Sequence, residues 1–289
     1  MEIKKLSVVV PIYNALDDVK LLLDSILSNF NFSLGEITLI NDCSSQETSS
    51  FLDSFCAKNH LIKLLNNEVN LGFVKTCNRG MKLAKGDVVV LLNSDTIIPK
   101  EFCERIIKCF NSDERIGIAS PISSHTYSYF IPLPKNYTLE KMNKLLRKKH
   151  KCTYPLIPAA EGFCFCIRKD VIYKQGYLDE VWGKGYNEEV DFAYRAITNN
   201  WKNVLIDDLY VYHKRNASFG IKDRKILIEK NYPEFHRRWH GFREKYEKDN
   251  KLVNPVKKIE KEMFGVVNFM INRPFEKIFH VKLSENRYL

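Results

Sequence analysis

The chain has 289 residues, 45% of them hydrophobic, enough for one large α/β domain or for a domain with a smaller appendage. Its apolar runs fall far short of the ~20 residues of a spanning helix, and the opening "MEIKKLSVVVPIY" enters a strand pattern without an apolar leader, so the expected location is the cytoplasm. The net charge is +10, and eight cysteines with no Cys-x-x-Cys pair argue against both a disulfide framework and a zinc site.

Residues 6–13, "LSVVVPIY", read as a strand, with Pro11 limiting its ladder. Asp17 or Asp18 is expected to cap the helix that follows, whose apolar residues Val19, Leu22, Leu23, Ile26, Leu27 and Phe30 form one stripe. "EITLIND" is a second strand, and a Ser-rich turn leads to a helix near residues 47–58. "LIKLLNN" is a third strand, then "NLGFVKTCNRGMKLAKG" gives a loop and a helix stopped by Gly86. Residues 87–92 form a fourth strand, buried on both faces, that ends in Asn93, Ser94 and Asp95. A helix at 100–111 and a strand "IGIASP" follow, after which the pattern loosens. It returns with a strand "EGFCFCIR", a helix "YNEEVDFAYRAITNN" and a strand "NVLIDDLYVYH" ending at His213.

Alternating strands and helices imply a mostly parallel sheet covered by helices, with ligands beyond the carboxyl ends of its strands. Asn, Ser and Asp at one strand end are ordinary turn formers. Three polar strand ends on one edge (Tyr13-Asn14, Asn41-Asp42 and Asn93 to Asp95) look like a site instead. The absence of Gly-x-Gly-x-x-Gly after the first strand and of a Gly-Lys-Ser/Thr loop disfavours a dinucleotide fold and a P-loop.

Asp95 at a strand's carboxyl end suits a hard divalent cation that bridges to phosphate. His213 taken alone is an ordinary structural histidine; placed opposite Asp95 it becomes a second ligand, better matched to Mn²⁺ than to Mg²⁺. In "NEEVDFAYR", Asp191 and Arg195 are spaced to pair on one helix face, with Glu188 beside them and Glu189 pointing elsewhere. An unpaired Glu189 in a dry cleft would serve as a general base, while a solvated acidic first turn accounts for the same residues.

From "VVVPIYNA", "LINDCSSQ", "NLGFVKTCNRG", "GDVVVLLNSDT", "GYNEEVDFAYR" and "VYHKRNASFG", in that order, the chain resembles a family 2 glycosyltransferase of the inverting, GT-A type found in bacterial glycan biosynthesis. The resemblance spans roughly residues 6–220 and implies a Rossmann-like sheet flanked by helices; past it, residues 221–289 are expected to form a basic, mainly helical extension. The family's Asp-x-Asp reads Asn93, Ser94, Asp95 here; Asp95, its metal ligand, is retained, and the Asn93 amide would still bond a ribose. By matching position, Pro11, Tyr13 and Asp42 would hold the base, Asp42 accepting from an imide N–H. Asn70, Gly72, Asn78 and Gly80 would belong to the loop closing over the nucleotide. Glu189 matches the catalytic base and His213 the late metal ligand, while Asp191, by its pairing with Arg195, is expected to be structural and to orient the site. Gly162, Trp182 and Glu188 fall on the acceptor side, where Trp182 would stack on a sugar.

The resemblance implies Mn²⁺ or Mg²⁺, a UDP- or dTDP-sugar donor, a glycan or lipid-linked acceptor, and one in-line displacement that inverts the anomeric carbon. The basic excess lies in residues 141–151, with 6 basic and no acidic side chains, and in residues 222–289, with 17 against 10. With the short apolar run of "EMFGVVNFMINRPFEKIFHV", it suits peripheral docking on anionic lipid at the inner face of the cell membrane; a helix packed on the sheet or on a second subunit is the other account. Two rival functions are a nucleotidyltransferase, which lacks its Gly-rich loop here, and a basic module binding nucleic acid, which leaves Asp95, Glu189 and His213 unexplained.

Overall fold

Strand β1 (Leu6–Ile12) lies inside an eight-stranded sheet and shows why its sequence is apolar throughout. Val8, Val10 and Ile12 face one buried layer and Val9 the other, because successive side chains of a strand point to opposite faces. The structure, a computed structural model, describes residues 2–149, 152–214 and 221–264.

The first half is a run of strand–helix–strand crossovers. Helix α1 (Leu16–Asn29) leads to β2 (Gly35–Asn41), α2 (Gln46–Lys58) to β3 (Ile62–Asn66), and α3 (Phe73–Leu83) to β4 (Val88–Leu92). β1, β2, β3 and β4 are all parallel. Neither Asp17 nor Asp18 caps α1: its N-cap is Ala15, in the left-handed region, and Asp18 instead holds Lys214 at 2.6 Å. Gly86 is no helix stop either, since α3 ends three residues earlier. A Cβ on Gly86 would lie 2.6 Å from the Leu6 carbonyl carbon, so glycine there permits close backbone approach.

The second half departs from the expected parallel pattern. β5 (Thr96–Ile97), α4 (Phe102–Ser112) and β6 (Ile116–Ser123) are followed by α5 (Leu139–Lys149), in the stretch where the sequence pattern loosens. Met142, Asn143 and Leu146 of α5 are buried, so the basic run there is the outer face of a packed helix. Next come β7 (Cys164–Arg168), α6 (Lys169–Gln175), a 3-10 turn at Glu180–Trp182, α7 (Glu188–Thr198) and β8 (Lys202–His213). β7 inserts antiparallel between β4 and β6, β8 runs parallel to β6, and β5 closes the edge antiparallel to β8. The strand order is β3-β2-β1-β4-β7-β6-β8-β5. The tail adds α8 (Ile221–Trp239), α9 (Phe242–Asp249) and α10 (Pro255–Phe264); Phe235, Val256, Ile259 and Met263 join the core layer on the α3 and α7 side. All eight cysteines are free thiols.

This topology brings together the carboxyl ends of β1, β2, β4 and β8 and, because β7 is reversed, the entry to β7. Among the described residues no helix is long and apolar enough to cross a membrane. The apolar stretch proposed for lipid docking continues past residue 264, outside the described residues.

Candidate active site

Asp95 and His213 meet across the β5–β8 pair. Thr96 is in register with His213, and the Lys214 N–H donates to the Asp95 carbonyl at 3.0 Å, so backbone pairing sets the side chains next to each other. His213 Nε2 lies 3.3 Å from Asp95 Oδ1, and both residues are buried. His213 Nδ1 is 2.7 Å from the His125 carbonyl, which can only accept, so Nδ1 carries a proton and Nε2 is the nitrogen that faces the carboxylate. Two lone pairs face each other unless a proton or a cation lies between them. Their separation is close to the ~3 Å between neighbouring ligands of an octahedral ion with bonds of 2.0–2.1 Å. The residues therefore fit a hard divalent cation, and among the described residues no cluster of three or more candidate ligands exists. Few protein ligands is the usual state of an ion that also takes substrate phosphates.

Residues 161–163, which enter β7, link this pair to the predicted base. The Phe163 ring stacks on His213 with centroids 5.1 Å apart, and the Phe163 carbonyl accepts from Asn93 N–H at 2.9 Å. A Cβ on Gly162 would sit 3.4 Å from Glu189 Cγ and 3.5 Å from its Oε1, ordinary contact distances, so Gly162 lies directly against Glu189. Glu161 lines the same cavity as Glu189, with Tyr129, Tyr186, Trp239 and Arg243. Its Oε1 accepts from Ser128 N–H at 2.7 Å, and its own N–H donates to Ser120 Oγ at 3.1 Å. Sequence reasoning missed Glu161; its place just ahead of a strand that meets the site edge is the signal available.

Burial pushes the Glu189 carboxyl up to about 7, and the Glu161 charge adds to the rise. Glu189 Oε2 has no hydrogen-bond partner. The Glu188 carboxyl is also raised well above its ordinary value, by burial and then by the neighbouring Glu189 charge. Glu188 is buried and outside the residues lining the cavity, so it stands behind Glu189 and not on the acceptor side expected for it.

Three other expectations change. Trp182 is 1% exposed, packed on Phe235 at 6.1 Å and under the Arg238 guanidinium at 5.3 Å; α8 covers it, so neither face is open to a sugar. Asp191 is fully buried and accepts from Arg195 Nε (2.9 Å), Arg238 Nη1 (3.2 Å) and Trp239 Nε1 (2.9 Å), so it anchors α8 to α7 and touches no reacting group. Asn78 and Gly80 lie inside α3, away from any closing loop. The Asn78 amide clamps Leu178, donating to its carbonyl (2.8 Å) and accepting from its N–H (3.0 Å), and Gly80 packs on Val9.

At the carboxyl ends of β1 and β4, Tyr13 is exposed, Pro11 is half-buried and Ser94 is buried. Asp42 is buried and holds the loop after β3: its carboxylate accepts from Leu71 N–H (2.8 Å), Gly72 N–H (2.9 Å) and Asn67 Nδ2 (2.7 Å). Gly72 adopts φ 80°, which suits glycine, and Asn70 is exposed on that loop. Asn14 accepts from Ser45 N–H at 2.8 Å, tying the ends of β1 and β2.

A mixed sheet with an acidic strand end, a late histidine and a carboxyl lining a cavity is the arrangement of a GT-A fold. The chain belongs to the glycosyl transferase family 2, whose model matches residues 7–176. A poly-beta-1,6-N-acetyl-D-glucosamine synthase of Staphylococcus epidermidis is 32% identical over 215 residues, covering 74% of this chain and 49% of the synthase, so the chain spans about half that relative's length. Among solved structures, GalNAc-T7 with UDP, GalNAc and Mn²⁺ aligns with TM-score 0.60 at 18% identity, over 94% of this chain and 58% of its own. The mannosyltransferase PcManGT of Pyrobaculum calidifontis, with GDP-Man and Mn²⁺, aligns at 0.56 and 16% identity, over 99% and 76%. Both likenesses are of fold.

Proposed function

We propose that the protein is an inverting glycosyltransferase that moves a sugar from a nucleotide-diphosphate donor to a hydroxyl of a glycan or lipid-linked acceptor. The observation that carries this reading is a cation-compatible Asp95–His213 pair on the same sheet edge as an activated carboxyl, Glu189, that lines its own cavity. Solved relatives of this fold hold UDP or GDP-Man with Mn²⁺, which supports a nucleotide sugar and a divalent ion.

Asp95 and His213 would hold Mn²⁺ or Mg²⁺, which supplies positive charge against the diphosphate leaving group. Asn93 and Ser94 border the ribose and phosphates, Pro11 and Tyr13 the base, and Asp42 braces the loop that carries Asn70 and Gly72. Glu189 takes the proton of the acceptor hydroxyl as its oxygen attacks the anomeric carbon from the side opposite the diphosphate. Glu189 Oε2, which has no hydrogen-bond partner of its own, is the oxygen that takes that proton. A base near 7 is half ionised at neutral pH and still strong enough to matter. Residues 1–220 would form the transferase proper, although α8 to α10 pack on it.

Thermal stability with a panel of UDP-, dTDP- and GDP-sugars, with and without Mn²⁺, tests the reading. A Mn²⁺-dependent rise with one nucleotide class is expected. No rise with any of them would sink it.

A further inference from the structure

The turn that enters α7 is strained. Gly183, Gly185, Tyr186 and Asn187 all have positive φ (62°, 133°, 71° and 79°), and no side chain caps the helix at Asn187. Asn187 adopts this region readily, but for Tyr186 it is unfavourable backbone, which persists only where the surroundings hold it. Glu188 and Glu189 are the first two residues of the helix it feeds.

What holds the turn comes from α8, beyond the part matched by the family model. Asn231 is buried in α8, and its Nδ2 shares two N–H donors among three carbonyls: Trp182 (3.2 Å), Gly185 (3.0 Å) and Tyr186 (2.9 Å). All three partners only accept, so the amide nitrogen must face the turn. Nearer its end, α8 is pinned by Arg238 to Asp179 (2.8 Å) and Asp191 (3.2 Å), and by Trp239 Nε1 to Asp191 (2.9 Å). Asn231 thus grips the backbone just ahead of the base, while Asp191 grips the first turn of its helix just after it.

We propose that Asn231 is a positioning residue for sugar transfer, fixing the left-handed entry to α7 so that Glu189 points into its cavity. The proposal rests on the reading of Glu189 as the base. It makes α8 part of the catalytic unit, although nothing in the local pattern around Asn231 marks it. Asn231 touches no substrate; it acts through the turn.

The test uses the full chain with Asn231→Asp, which keeps the shape but turns a carboxylate onto three carbonyls, and Asn231→Ala, which removes the donors without adding charge and remains usable where the Asp variant does not fold. Amide hydrogen exchange over residues 183–188 reads the turn; UDP affinity with Mn²⁺ reads the donor site. Turnover is UDP release from UDP-GlcNAc, or nucleoside diphosphate release from whichever sugar of the panel reacts. Expected are exchange and kcat changes of about tenfold or more, faster exchange and slower turnover, with UDP affinity held within about twofold. Unchanged exchange at the turn overturns the proposal, and so does faster exchange with wild-type kcat. Glu189→Gln run alongside separates the claims: full turnover in that variant removes Glu189 from the base role, whereas an inactive E189Q beside an active N231D overturns the positioning role alone.

Discussion

His213 Nε2 stands 3.3 Å from Asp95 Oδ1, and the contact is set by main-chain pairing between β5 and β8. Asp95→Ala and His213→Ala should each leave the sheet intact, since the ladder needs no side chain. Calorimetry of UDP or GDP binding should show Mn²⁺ tightening the wild type and losing about tenfold or more of that effect in either variant. Equal Mn²⁺ dependence in all three proteins would remove the pair from metal binding.

Glu189 titrates near 7, so kcat/KM should rise with pH and level off above about 7, where the base is ionised. Because Glu161 adds to that rise, Glu161→Gln should move the acid limb to lower pH, with a weaker base above it. An acid limb unmoved in E161Q would mean the two carboxyls do not sense each other.

The same shift makes a stability prediction. The folded-state value lies above the ordinary 4.5, so the folded chain keeps a proton that the unfolded chain releases in between. That contribution is complete below about 4.5 and is lost as pH rises to about 7. Glu189→Gln has no proton to lose and should be more stable than wild type at pH 8, by on the order of 1–3 kcal/mol, and no different at pH 4. Urea unfolding at both pH values measures it.

Asp191 joins two buried or half-buried cations and an indole N–H. Asp191→Ala strands them and should cost about 3–5 kcal/mol, with Asp191→Asn costing less because one acceptor oxygen remains. Denaturant midpoints of the pair would show the order; a near-neutral D191A would mean α8 is held without it.

Gly80 sets two effects against each other. In a helix interior Ala is favoured over Gly by about 1 kcal/mol. A Cβ at Gly80, however, would lie 2.2 Å from Val9 Cγ1 and 2.9 Å from Cγ2, on a stiff β-branched side chain. Overpacking of this kind costs about 1–3 kcal/mol or more, so Gly80→Ala should destabilise. A raised midpoint would show that α3 can shift away from β1.

The first four strands, the helices between them and the polar strand ends were readable from sequence because each is a local pattern with a period of two or 3.6, whereas β5, α5 and α6 were not. So was the pairing of Asp191 with Arg195, four residues apart on one helix. The family motifs likewise marked Asp95, Glu189 and His213. Tertiary structure decided the rest. It reversed β7 and so delivered Glu161 and Gly162 to the site; it buried Trp182 beneath α8, engaged Asn78 with Leu178, and set Asn231 against a turn some 45 residues earlier in the chain. A residue's spacing fixes the face it occupies, but what meets that face comes from distant segments, and only packing selects them.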